Sequence, residues 1–439
     1  MIFPDKPRRA TVLFMAGLLG LAAPLLAGET ELASSLTLDE AVARALQNNP
    51  DLRAAQSQWD AAKERPAQER TLPNPMLVLK GQNSPDRFDF PRTQEARVEI
   101  EQTFPWFGKL GLRGRVAEKD AELARRSREA TALDVTMSVK ETYFDLFAVQ
   151  RSLSITRAEE GVLKRMESIA ETRYSTGEAS QPDVIKAQAE ITMLRQRLLE
   201  LEEQQATLSA RLNQLWDQPA AAPVGLAVTE PAAAVESDPD RLLALAAKSR
   251  PEIRNAQAAV DRSEAQRELM RKEFFPDYRI GLEYGHMESG YTDFSSAENV
   301  VMLSVGFDLP IWQTKYRAGL REAEKMVQSS QDALEAAKQQ TSFDVQDAQF
   351  KLQTAQRTVD LYKTALIPQA EARFSSSEAA YRTGKAEFLD LLESERFLLN
   401  ARVMEAMAEG SLGAQSARLE RAVGGPLTEP VSPTEGDVQ

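Results

Sequence analysis

The chain repeats itself. Pro50-Asp51-Leu52-Arg53-Ala54-Ala55-Gln56 returns as Pro251-Glu252-Ile253-Arg254-Asn255-Ala256-Gln257. Phe104-Pro105-Trp106-Phe107 returns as Leu309-Pro310-Ile311-Trp312, and Tyr174-Ser175-Thr176-Gly177 as Tyr381-Arg382-Thr383-Gly384, with Asp183 and Asp390 following in step. The separation between partners drifts by only a few residues across the three matches, so the chain is two copies of one unit. The repeats span 28–218 and 240–423, joined by an Ala/Pro-rich linker at 219–239. A Gly/Pro/acid-rich tail at 424–439 reads as disordered. Ahead of the repeats, Lys6, Arg8 and Arg9 precede an apolar run from Ala10 to Leu26, with Ala27 as a cleavage residue. Residues 1–27 therefore read as a signal peptide, which places the mature protein outside the cytoplasm.

Each repeat offers the same order of elements. A helical stretch comes first, from Leu38 to about Arg70 and from Pro239 to about Phe274. Two short alternating runs follow, at about 76–82 and 97–104 in one copy and 278–285 and 300–309 in the other. Val98, Ile100, Gln102 and Phe104 alternate with Arg97, Glu99, Glu101 and Thr103, and Val301, Leu303, Val305, Phe307 and Leu309 with Met302, Ser304, Gly306 and Asp308. A period of two with one apolar face predicts strands, either half-buried or set between lipid and water. Then come helices too long for a globule: Lys109 to Thr176 contains no proline and would reach roughly 100 Å. After Pro182, the positions Val184, Ala187, Ile191, Leu194, Leu198, Leu201, Gln205, Leu208, Leu212 and Leu215 keep a strict heptad, the signature of coiled-coil packing. The second copy (Leu391, Ser394, Leu398, Ala401, Glu405, Ala408, Leu412) is more polar and fits either a water-filled space or a looser packing face.

Four strands per chain cannot close a barrel, and an open edge cannot sit in lipid because its N–H and C=O groups would lack partners. If the strands span a membrane, several chains share one barrel: two would give eight filled strands, three would give twelve around a lumen. Beyond the N-terminal segment no apolar run is long enough for a spanning helix. Trp106, Phe107 and Trp312 follow strand ends, and Phe274, Phe275 and Tyr278 precede a strand, where amphipathic rings favour a membrane boundary. Phe88, Phe90, Tyr291 and Phe294 fall in the strand-connecting loops, at the outer mouth in this arrangement.

The chain has no cysteine, one histidine (His286) and a formal charge of −13. That excludes disulfides, thiolate or multi-histidine metal sites and Cys catalysis, and it argues against nucleic-acid binding. No nucleophile elbow, phosphate loop or His–carboxylate arrangement is present, so neither an enzyme nor a cofactor is expected. A periplasmic coiled-coil adaptor would account for the helices but not for two strand–loop–strand units.

Leu36-Thr37-Leu38-Asp39-Glu40-Ala41 with Asn49-Pro50, the duplicated halves, and Tyr174-Ser175-Thr176-Gly177-Glu178-Ala179-Ser180 leading to Asp183-Val184 resemble the TolC family of bacterial outer-membrane efflux ducts. Gln102-Thr103-Phe104-Pro105-Trp106-Phe107-Gly108-Lys109-Leu110 is similar to the CzcC/CusC heavy-metal branch. The resemblance implies a mostly α fold with a small β part: a trimeric α-helical barrel of duplicated hairpins carrying a shared twelve-strand transmembrane β-barrel, four strands per chain. It also implies an outer-membrane homotrimer with a long periplasmic portion, a periplasmic adaptor and an inner-membrane pump of the resistance-nodulation-division type. Some relatives carry a lipidated N-terminal Cys, and this chain has none. Tyr174, Gly177, Ser180, Tyr381 and Gly384 would form the adaptor-contacting tips. Asp390 and Glu393, with Asp183 as first-repeat counterpart, match the acidic ring that lines the periplasmic constriction in related ducts. Passage of heavy-metal cations is the expected function, with drugs or small organic toxins as the alternative cargo.

Overall fold

The computed structural model describes residues 35–82, 95–177, 180–228, 238–287 and 298–427. The signal segment and Phe88, Phe90, Tyr291 and Phe294 lie outside these, as does the tail beyond Leu427. The first repeat runs β1 (Ser35–Leu36), α1 (Leu38–Asn48), α2 (Pro50–Arg70), β2 (Met76–Gln82), β3 (Glu95–Phe104), α3 (Lys109–Ser175) and α4 (Gln181–Leu215). After β4 (Leu226–Ala227), the second repeat runs α5 (Pro239–Ser249), α6 (Pro251–Lys272), β5 (Asp277–Met287), β6 (Glu298–Asp308), α7 (Gln313–Leu361), a π-helical turn (Tyr362–Leu366), α8 (Ile367–Arg382) and α9 (Phe388–Val423).

The opening stretch of each repeat is two helices rather than one. Asn49 and Arg250, each followed by proline, take extended backbone at φ −61° and −66°, because a residue before proline is driven out of the helical region. Asn49 then caps α2, its side chain accepting from the N–H groups of Asp51 and Leu52 and donating to the Leu215 carbonyl. Within 219–239, β4 pairs in parallel with β1, and the Tyr143 hydroxyl of α3 lies within hydrogen-bonding distance of the Leu36 (2.7 Å) and Val228 (2.6 Å) carbonyls beside that pair, while accepting from the Val228 N–H.

The long helices pack in order. Positions Ala187, Ile191, Leu194, Leu201, Leu212 and Leu215 of the α4 heptad are buried, against α3. The more polar heptad of α9 is also a packing face: Leu391, Ser394, Leu398, Ala401 and Ala408 are all buried, and α9 lies between α3 on one side and α7 and α8 on the other. Its small residues permit a close approach. A Cβ on Gly410 would stand 2.6 Å from the Ala148 Cβ and 2.7 Å from the Phe144 carbonyl oxygen.

The four longer strands form one antiparallel sheet in the order β2-β3-β5-β6. Two hairpins, one from each repeat, are joined by pairing of β3 with β5 from Glu95↔Met287 to Phe104↔Tyr278. This register aligns side chains across all four strands. Leu77, Ile100, Leu282 and Leu303 stand in one cross-strand row, and Leu79, Val98, Tyr284 and Val301 in the next. All eight are exposed.

The sheet is fastened to the helices through Lys109, only 2% exposed. Its ammonium donates to Asp277 Oδ1 (2.9 Å), Glu273 Oε2 (3.3 Å) and the Phe275 carbonyl (3.1 Å), while the Trp106 N–H donates to the same Asp277 oxygen at 2.7 Å. One cation thus ties the end of β3 to the start of β5. Lys109→Met should destabilise the fold by about 2–3 kcal/mol, because it removes the cation shared by the half-buried Glu273 and Asp277 carboxylates. Arg115→Met, which breaks only the exposed pair with Glu268, should change stability by less than about 1 kcal/mol. Urea midpoints of the two variants in detergent check the contrast.

Candidate functional site

The two faces of the sheet differ in kind. Opposite the apolar rows, Lys80 bridges Glu99 (2.6 Å) and Glu283 (2.9 Å), Arg97 reaches Glu283 (3.2 Å), and Arg279 spans Glu101 (3.4 Å) and Asp308 (2.6 Å). An uncovered apolar face backed by an ionic one is what a barrel wall between lipid and water requires. β2 pairs only with β3 and β6 only with β5, so both outer edges carry backbone groups with no strand partner among the described residues.

The aromatic residues singled out in the sequence gather at the base of this sheet. Trp106 stacks on Phe275 (ring centroids 5.4 Å apart), Phe104 on Tyr278 (5.3 Å), and Phe107 lies 6.1 Å from Tyr278. They form a joint between strands and helices, yet Phe107 is 70% exposed and Trp312, outside the cluster, 74%. Both are large apolar rings left facing out at the same end of the sheet.

At the far end of the helices each hairpin reverses through a glycine in left-handed conformation, Gly177 at φ 78° and Gly384 at φ 71°, which side chains with a Cβ resist. The N–H of Gly177 donates to the Tyr174 carbonyl and that of Gly384 to the Tyr381 carbonyl. The tyrosines are not equivalent in environment. Tyr174 is exposed, whereas Tyr381 is buried against Phe388. The Arg173 guanidinium sits 4.8 Å over the Tyr381 ring and donates to the Tyr381 carbonyl at 2.8 Å. Burial pushes the Tyr381 phenol up, and Arg173 opposes that.

Asp183 and Asp390 occupy matching positions, each the third residue of its helix and each closing a capping box, with Ser180 and Glu387 respectively. The Ser180 N–H and hydroxyl donate to Asp183 (3.2 and 2.9 Å), and the Glu387 N–H donates to Asp390 (3.3 Å). Both aspartates therefore have a structural duty as helix caps. Ser180 three residues before Asp183 was a legible signal of it. Asp390 and Glu393 are exposed, one turn apart on α9.

Sequence reasoning missed the bonds that tie one hairpin to the other. Arg396 of α9 grips Glu190 of α4 with two donors, one at 3.0 Å. Higher up, Arg151 of α3 reaches Glu405 and Glu409 of α9, and Lys363 of the π-helical turn reaches Glu409 at 2.5 Å. Nothing in the heptads marks such pairs, because they depend on the relative height of helices from different repeats. Between α3, α4 and α9 runs a groove of about 650 Å³ whose lining includes Glu141, Asp145, Gln204, Ser411, Gln415 and Arg418. Burial pushes the Asp145 carboxyl up, Glu141 adds to that and Arg418 opposes it. Glu141 and Asp145 flank Tyr143, so the groove lies on the side of α3 away from β1 and β4. Among the described residues no three or more His, Cys, Asp or Glu gather into a metal-binding group, and no helix is long and apolar enough to cross a membrane.

Known proteins share this architecture. The family profile of the outer membrane efflux protein matches residues 41–218 and 242–425, one match per repeat. The chain is 26% identical over 398 residues to the cobalt-zinc-cadmium resistance protein CzcC of Cupriavidus metallidurans, covering 90% of this chain and 91% of that one. It is 24% identical over 421 residues to the pyoverdine export outer membrane protein OpmQ of Pseudomonas putida, covering 89% and 86%. Among solved structures, CusC superposes with a TM-score of 0.75 at 18% identity, over 88% of this chain and 92% of that one. The chain belongs to the outer membrane efflux protein family, whose members are outer-membrane channels and not enzymes.

Proposed function

We propose that three copies of this chain form one duct that passes heavy-metal cations from a periplasmic adaptor and an inner-membrane pump of the resistance-nodulation-division type to the outside. The observation that carries the reading is the sheet: two full apolar rows facing outward, ion pairs behind them, and two unpaired edges. Three such sheets, edge to edge, make a twelve-strand barrel with no free edge and a water-facing interior. Trp106, Phe107, Phe275, Tyr278 and Trp312 then sit at the periplasmic boundary of the lipid, and α3, α4, α7, α8 and α9 continue the wall as a tunnel. The groove holding Glu141 and Asp145 faces the lumen, opposite the outward β1–β4 pair.

At the tips, Tyr174, Gly177, Ser180, Tyr381 and Gly384 shape the ends that meet the adaptor. Tyr381 contributes from inside, by fixing the second turn, and Tyr174 by its exposed ring. Asp390 and Glu393 set the field at the constriction, with Asp183 at the matching point of the first repeat. Three-fold symmetry brings three copies of each around one axis, and such a ring favours cations over anions. Metal cargo is supported by the likeness to CzcC and by the Phe104-to-Leu110 stretch. The likeness to OpmQ supports export of an organic molecule as the second reading.

Asp390→Asn combined with Glu393→Gln should lower cation-over-anion selectivity in planar bilayers; unchanged reversal potentials in a salt gradient would remove both residues from the gate. A deletion strain should lose resistance to at least one of zinc, cobalt, cadmium, copper or silver salts. Loss of resistance to organic toxins alone would transfer the cargo assignment to the second reading.

A further inference from the structure

Glu395 lies on α9, two residues past Glu393, yet it is 2% exposed. Glu159 of α3, 6% exposed, faces it within hydrogen-bonding reach. Two carboxylates that close, both removed from water, cannot remain ionised together. The surroundings offer little relief. From α4, Glu190 adds another negative charge; from α9 itself Arg396 is the cation that acts on Glu395, and it is engaged by Glu190. α8 turns Ala370, Phe374 and Tyr381 toward this stretch of α9, while its Arg373 lies over the Phe397 ring and its Glu371 is paired with Arg402. One oxygen, Glu395 Oε1, is sealed from solvent with no hydrogen-bond partner. A metal ion would need room and several oxygen donors, whereas a proton needs neither.

We propose that Glu395 and Glu159 share one proton per chain, and that this proton bolts α9 to α3 until the two helices part and it is let go. Burial, and then the adjoining Glu159, hold the Glu395 carboxyl well above the ordinary carboxylate range while the helices are packed. Once parted, the carboxyl meets water and returns toward its ordinary value. The sign follows. The packed arrangement binds the extra proton, so its stabilisation is complete below the ordinary carboxylate value and is lost as pH rises through the elevated one. Between the two, the ratio of parted to packed helices rises about tenfold per pH unit per chain. Neutral pH falls inside that window. The proton site stands on its own geometry, while its link to gating rests on the constriction assigned above to Asp390 and Glu393.

The full-length assembly in lipid nanodiscs provides the test. Wild type should show a protonated-carboxyl infrared band at pH 7.5 that Glu395→Gln lacks. Amide exchange over 388–402, corrected for its intrinsic pH dependence, should speed up with rising pH in wild type and stay flat in Glu395→Gln, whose amide can still donate to Glu159. Absence of the band in wild type, or an equal pH response in the variant, would overturn the proposal. Should Glu395→Gln not assemble, the wild-type band and a shift of its frequency in Glu159→Gln, where the shared hydrogen bond is replaced while Glu395 stays buried, decide the matter; an unshifted band would overturn the sharing. Open probability in bilayers that rises with pH in wild type alone supports the link to gating, and a flat wild-type profile overturns that link. A band and exchange profile as expected, beside unaltered selectivity in the Asp390/Glu393 variant, would sink the constriction reading and leave the proton site standing.

Discussion

A hydrogen-bonded sheet with two open edges cannot rest in hydrocarbon, and most of this structure answers to that constraint. Each unpaired backbone group in lipid costs several kcal/mol. β2 and β6 present such groups along their outer sides, while the face between them is apolar across all four strands. A soluble protein would cover that face, and nothing among the described residues does. The economical resolution is more copies of the same edge. Gene duplication already supplies half of it, since each repeat brings one hairpin and the β3–β5 pairing welds the two into a single unit ready to join the next.

The helices solve a different problem. A barrel of about twelve strands is only as tall as a bilayer, so any path across the space beyond must be built from something longer. α3, with 67 residues, is that element. Lys109 and its three partners carry the junction, turning the chain from strand to helix and fixing β5 against β3 at the same point. Further along, charge pairs such as Arg396–Glu190 and Arg151–Glu409 hold hairpins of different repeats in register. Being partly exposed, such pairs are individually weak, so register rests on several of them together.

Much of this was legible in the sequence. Strand positions followed from a period of two, and the heptad after Pro182 named the face of α4 that is buried. Legibility failed where packing rather than pattern decides. The heptad of α9 looked polar because it carries Ser394 and Glu405, yet the small Ser394, Ala401 and Ala408 are what let α9 fit between α3 and α8. Burial of Glu395 could not be read from a helix that also carries the exposed Asp390 and Glu393, since it depends on where α3 places Glu159. Asp183 and Asp390 invited a reading as gate residues alone; Ser180 did mark a cap at Asp183, while the Glu387–Asp390 cap emerged only with the backbone of the turn.

The central claim is that one chain is an incomplete wall. Native mass spectrometry of the detergent-extracted mature protein measures this most directly. A species of three chains, with no stable smaller form, is the predicted result. A folded, stable single chain in the same detergent would contradict it.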